Sequence, residues 1–253
     1  MYFPVTVPYK TSPVMNKNTE LVYQKLDNFS HMIDKSYELN RWGEDLYGCR
    51  RPDLVKHACL VLNLPITNDI VKFAMNFRED VAIMSSGVLE AICFCYPSSW
   101  IPSHRIGMSL AEIHGPVADG DMLRRMSQKI AETMATQGSF RRYVWTISTT
   151  GALSNHPKVP KPDVTKFTTI DDLYFRMETQ TTMPLGDGVS SLFFVNVETC
   201  PLSQFWEDVD KRKTIVDSIN SMSDAILEYK NLFKVKDLLN SVSPSLVMAP
   251  HLG

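Results

Sequence analysis

The chain has 253 residues, 44% of them hydrophobic and 21% charged, with 26 basic against 28 acidic side chains and a formal net charge of −2. That fits one large domain, or one domain with helical additions at its ends. The near-neutral balance, with no run of like charges, argues against a dedicated nucleic-acid binder. No stretch reaches the roughly 18 apolar residues of a membrane span.

Residues 1 to 17 carry Pro4, Pro8 and Pro13 without periodicity and read as an extended arm. No charged region followed by an apolar one marks the start as a signal peptide. From Asn18 to about Leu39, the spacing of Leu21, Leu26, Phe29, Met32 and Ile33 predicts a helix with one apolar face. A second helix is expected over Pro52 to Leu64, with proline in its first turn. A third is expected over Thr67 to about Phe77, capped by Thr67 or Asn68.

The texture changes at Val81. Val81 to Met84, a Ser85-Ser86-Gly87 turn and Val88 to Tyr96 predict a hairpin. A short helix over Ser109 to His114 should end at Gly115-Pro116. A longer one is expected from Gly120 to Thr136, with Met122, Met126, Ile130 and Met134 on one side. Alternation predicts two further strands, Arg141 to Thr149 and Leu173 to Met183, and a run rich in Phe and Val predicts a last one over Ser190 to Val197. Gly151 to Asp172, with three prolines, reads as a long exposed loop. Two helices are expected between Gln204 and Ser241, then a loose tail to Gly253.

This order predicts an α+β fold: an antiparallel sheet of about five strands, with short helices inserted after the second, which is the layout of a PAS-like domain. Residues 1–77 would form the N-terminal arm and helices, 78–200 the core, and 201–253 C-terminal helices packed on it. Cys49, Cys59, Cys93, Cys95 and Cys200 are odd in number, which suggests reduced thiols and a cytoplasmic protein. Cys93 and Cys95 lack a second pair to complete a zinc site and read as residues of a buried strand.

No G-x-G-x-x-G, P-loop, G-x-S-x-G or H-E-x-x-H is present, so the common nucleotide and hydrolase signatures are missing. None of the six histidines pairs with another at metal-ligand spacing. His114 shares the apolar face of its short helix with Leu110. Two readings stand: a core histidine bonded to a carbonyl, or the neutral imidazole that a haem iron needs. Arg176, Glu178 and Gln180 share one strand face. Such a face is usually solvated. If it lines a cavity, Glu178 suits a cationic substrate and Arg176 a carboxylate.

Four segments, in order, resemble the alpha subunit of haem-dependent oxidative N-demethylase and its relatives. Cys95-Tyr96-Pro97-Ser98-Ser99-Trp100, Arg105-Ile106-Gly107 and Ile113-His114-Gly115-Pro116-Val117 resemble a strand ending in P-S-x-W, a K-I-G and an I-H-x-P-V-P. Arg142 to Ile147 resembles R-x-N-W-x-I, and Arg176 to Thr181 matches R-x-E-x-Q-T. Met222 through Tyr229-Lys230 resembles a helix end with M-x-x-x-x-x-x-Y-K.

Covering roughly residues 78 to 240, the resemblance implies a haem-binding PAS-like fold that activates oxygen beside a bound secondary amine. It makes His114 the expected axial ligand of haem b, with His104 the next candidate. Arg105, Arg142 and Trp145 would contact the cofactor, and Glu178, Arg176 and Gln180 would carry the chemistry. Glu178 would anchor a small amine. With no flavin or iron–sulfur motif in this chain, electrons would come from an external reductase protein. No nucleic acid or membrane partner is expected, and a homodimer is allowed. Three departures bear on the substrate: Val144 stands where the family favours asparagine, Ala118 replaces the second proline of the histidine motif, and Thr182 to Gly188 lacks the usual basic residues. The alternatives are a haem gas sensor without turnover, a haem enzyme acting on another nitrogen or carbon substrate, and a relative that has lost haem.

Overall fold

The computed structural model describes residues 1–11, 15–26, 29–163 and 167–243. One antiparallel sheet organises them, with seven strands: β1 (Asn16–Lys17), β2 (Tyr47–Cys49), β3 (Asp80–Ser85), β4 (Val88–Cys93), β5 (Phe140–Ser148), β6 (Tyr174–Pro184) and β7 (Ser190–Pro201). Their order is β1-β5-β6-β7-β3-β4-β2. The five longer strands are those the sequence predicts, β5 and β6 from alternation and β3, β4 and β7 from apolar, strand-favouring runs. The two additions are short edge strands: β1 lies in the proline-bearing arm, and β2 lies between helices. Neither is long enough to show a period-two pattern, so the expected count of five was low.

Ser86 (φ 50°) and Gly87 (φ 79°) take the left-handed conformations of a two-residue hairpin between β3 and β4. The helices are α1 (Phe29–Trp42), α2 (Pro52–Val61), α3 (Ile70–Ala74), α4 (Leu110–Ile113), α5 (Asp121–Thr136), α6 (Ser203–Trp206), α7 (Val209–Asn220), α8 (Asp224–Tyr229) and α9 (Phe233–Val242). The C-terminal region therefore holds four helical pieces rather than two. Asp208 and Ser223 cap the starts of α7 and α8 and break the run. Asp69, not Thr67 or Asn68, caps α3 by accepting from the Val71 and Lys72 amides. The expected loose tail and the expected position of Pro13 lie outside the described residues.

The N-terminal helix starts later than its apolar spacing implies. Lys25 pairs with Phe77 in an isolated bridge, so the chain before α1 is extended. Leu21, Met32 and Ile33, the expected apolar face, are 69%, 39% and 50% exposed. What α1 buries is Lys35, whose ammonium donates to the carbonyls of Ala74 (3.2 Å), Phe77 (3.0 Å) and Glu79 (2.7 Å) and lies 4.0 Å from Asp80 Oδ1. Asp80 in turn accepts from the Cys95 and Tyr96 amides at 2.9 and 2.8 Å, which turns the chain out of β4. Lys35→Met strands a buried carboxylate and three carbonyls, and is expected to cost about 3–5 kcal/mol, read from urea unfolding. A loss below 1 kcal/mol would remove this cluster from the account of stability.

On α5 the buried residues are Leu123, Ala131, Met134 and Ala135, while Met122 and Met126 are 77% and 45% exposed. The side that carries Met122, Met126, Ile130 and Met134 is therefore buried only toward its C-terminal end, where Met134 enters the core and Ile130 packs against it. The long loop after β5 is not wholly exposed. Ser154 and His156 are buried, and His156 stacks on Trp42 with ring centroids 4.1 Å apart.

The two faces of the sheet are dressed differently. Trp145, Ile147, Phe175 and Met177 join α7, α8, α9 and the arm residue Val5 in one apolar cluster. The alternate residues of β5 and β6 point the other way, to what we call the inner face.

Candidate functional site

Register sets the inner face. Arg142 lies opposite Gln180, Val144 opposite Glu178, and Thr146 opposite Arg176. Val195, Val197 and Thr199 of β7 continue the three rungs. Because side chains alternate along a strand, Arg176, Glu178 and Gln180 share this face as expected. It is not a solvated face: Arg176 is 2% and Gln180 9% exposed.

A chain of hydrogen bonds links these groups. Arg142 Nε donates to Gln180 Oε1 at 2.6 Å, and Gln180 Nε2 donates to Glu178 Oε2 at 2.8 Å. Ser98 Oγ donates to Glu178 Oε1 at 2.5 Å. Arg176 donates to Ser98 Oγ at 3.0 Å and to the carbonyls of Tyr96 and Leu153 at 3.2 and 2.6 Å. Arg176 is therefore a strut that holds the Pro97–Ser99 turn and the loop after β5 against β6. It is not a free carboxylate receptor. Glu178 is held at both oxygens, so the direction of its remaining lone pairs is set.

His114 closes α4. Ser109 and Glu112 form a capping box at the start of that helix, and the His114 amide returns to Leu110 O at its end. The imidazole Nδ1 also meets Leu110 O, at 2.8 Å, which fixes Nδ1 as the donor and leaves the Nε2 lone pair free. Among the described residues Nε2 has no hydrogen-bond partner. Burial holds the imidazole below its usual pKa, and the Arg142 charge acts in the same direction. His114 is thus a neutral base beside Arg142. Arg124 on α5 secures the turn, donating to Val117 O at 3.1 Å and Gly115 O at 3.3 Å.

Lys230 completes the charge pattern. It follows α8, donates to the Trp145 carbonyl at 3.3 Å and lies 5.6 Å over the Tyr9 ring. Burial brings its ammonium down to about 8, against the opposing pull of Glu178. Below that folded-state value both folded and unfolded chains carry the proton. Between 8 and the ordinary 10.5 only the unfolded chain does, so raising the pH through this window favours folding. Wild type is expected to gain stability relative to Lys230→Met between pH 8 and 10.5 in urea titrations. Parallel curves would contradict the burial of that amine.

The structure thus brings His114, Arg142, Glu178 and Gln180 to one side of the sheet. Trp145 is not among them. Its ring is 6% exposed on the opposite face, stacked on Phe175 at 5.6 Å. Arg105 belongs to the surroundings: it donates to Met108 Sδ at 3.9 Å, and its charge reaches Tyr229, as does that of Glu178. His104 is exposed and acts on Asp45, away from this group. Ser98 and Lys230 were visible only as letters of the motifs that carry them. Tyr9 had no signal at all, since an arm residue reaches its place only through tertiary packing.

A haem asks for one neutral nitrogen ligand, cations for its propionates and apolar walls. His114 offers the first. Arg142 offers the second, because its two Nη atoms have no partner among the described residues. Val144 and Val197 flank Glu178 with apolar surface. The residues present fit the group. No cluster of three or more His, Cys, Asp or Glu side chains that could hold a bare metal ion occurs among the described residues.

The fold and this face define an α+β protein with a buried polar site on one side of an antiparallel sheet. The family model for haem-dependent oxidative N-demethylase, alpha subunit-like proteins matches residues 57–240, and the chain belongs to that family. No curated protein matches the chain. Among the described residues no helix is long and apolar enough to cross a membrane.

Proposed function

We propose that the chain holds a haem b through His114 Nε2 and oxidises a small amine at a carbon next to nitrogen. The reaction consumes O2, two electrons from an external reductase and two protons, and yields the shortened amine, an aldehyde and water. The observation that carries this reading is the His114 imidazole, held neutral with Nε2 free, on the same side of the sheet as Arg142 and Glu178, in a chain of this family. The five longer strands, with α4 and α5 inserted after the second, support a PAS-like core.

When bound, the haem supplies oxygen activation. The chain's own residues do the rest. Arg142 receives a propionate through its unpaired Nη atoms. Glu178, oriented by Ser98 and Gln180, receives the ammonium form of the substrate. Lys230, brought down to about 8 by burial, is in part a free amine as the pH approaches that value, and in that form it can accept the proton that the substrate nitrogen must lose before oxidation. Apolar residues from β5 and β7 keep bulk water from the reacting carbon.

One observation favours a substrate different from that of the family's namesake. Val144 is the cross-strand neighbour of Glu178, where the family pattern has asparagine. An amine with an apolar group toward β5 suits that rung better than one needing a second hydrogen bond. The test is aldehyde release from a panel of secondary N-methyl amines, with haem-loaded protein, O2 and a chemical electron donor. Release that scales with the size of the second substituent supports the reading. No aldehyde from any amine, with the haem in place, would move the protein to the sensor class.

A further inference from the structure

The other face of the same strands carries a cleft that the proposed chemistry does not use. It measures about 310 Å³ and lies where the sheet passes between the two apolar clusters. Its floor is a single polar rung: Tyr143 of β5 pairs with Thr179 of β6, which pairs with Asn196 of β7. Glu198 is one step further along β7, and Tyr2 from the arm covers Tyr143 with ring centroids 4.4 Å apart.

The rung is half-buried and walled by the arm and by residues 20–24, so its polar groups face the cleft and are open to a ligand. Among the described residues the side chains of Thr179, Asn196 and Glu198 make no hydrogen bond or ion pair. The other charges in the wall are already matched. Arg141 pairs with Glu20 and donates to the Leu21 carbonyl. Arg78 lies beside Glu79 and donates to Gln24. Among the described wall residues Glu198 is the charge without an ion pair or hydrogen bond, with two neutral acceptors and a tyrosine pair around it. The N-terminal ammonium acts beside it on the Cys200 thiol.

We propose that this cleft binds a small organic cation, an alkylammonium or guanidinium group. Its N–H groups are received by Glu198, Asn196 Oδ1 and Thr179 Oγ1, and its alkyl part lies against the tyrosine rings. The volume is at the lower end of small-molecule sites and readily holds a short alkylammonium. The site is distinct from the one around His114, since the sheet separates them. It is mechanically adjacent, because Thr179 stands between Glu178 and Gln180 on β6. Occupancy on one face therefore fixes the strand that carries the groups on the other.

The probes are butylammonium and its neutral isostere butanol, titrated calorimetrically into wild-type protein. The proposal expects saturable binding of butylammonium, and at least tenfold weaker binding of butanol. Glu198→Gln should weaken butylammonium at least tenfold, and Asn196→Lys, which places a fixed cation in the cleft, should abolish it. Thermal melts matching wild type show that both variants fold. Binding must persist in Glu178→Gln and in His114→Ala, which remove the proposed amine anchor and haem ligand on the opposite face, so that the cleft is read apart from that site. No saturable binding, equal binding by Glu198→Gln, or loss of binding in Glu178→Gln or His114→Ala with Glu198 intact would each overturn the proposal.

Discussion

Replacing His114 by alanine is expected to lower haem retention about tenfold or more, while the fold persists. Partners that merely orient a metal ligand already change metal affinity about 10–100-fold, so loss of the ligand itself should do at least as much. The side chain is half-buried, and its one internal hydrogen bond returns to its own helix, so little else depends on it. The same group predicts a pH dependence. Its folded pKa lies below the ordinary 6.5, so the neutral, ligating form dominates at pH 7 and is lost only on acidification below that value. Haem release followed by absorbance from pH 8 to 5 should therefore be flat above 6.5. An unchanged Soret band in His114→Ala would remove the ligand assignment and return His114 to the core.

Glu178→Gln is expected to reduce amine turnover about a hundredfold or more, with the haem spectrum retained. Arg142, Arg176 and Lys230 all feel this carboxylate, and Asp80 adds to it only at Arg176 among the described residues. The amide cannot satisfy Ser98 and Gln180 as the carboxylate does, since one of its two ends donates where an acceptor is needed. Removing the charge also takes away what raises the Lys230 pKa, so that amine should titrate lower in the variant. A variant with full turnover would show that Glu178 organises cations and does not meet the substrate.

The five longer strands and the capped helix α4 were legible because they rest on local rules: alternation for β5 and β6, a two-residue turn for the hairpin, a Ser109–Glu112 box for α4. Arg176, Glu178 and Gln180 were legible as one face for the same reason. Whether that face is buried was not, since this depends on how the Pro97–Ser99 turn and the segment around Leu153 fold back over it. The start of α1 was misplaced because a bridge to Phe77 overrides its spacing, and Lys35 does what apolar residues were expected to do. Trp145 shows the limit of motif reading: it is three residues from Arg142, and odd spacing on a strand places its ring on the opposite face.

The most direct test is an absorption spectrum of the full chain, expressed with a haem precursor, before and after dithionite and then with dimethylamine added. The account predicts a Soret band that shifts on reduction and shifts again with the amine. Protein that purifies folded but without a Soret band, and takes up none from added haem, would contradict it.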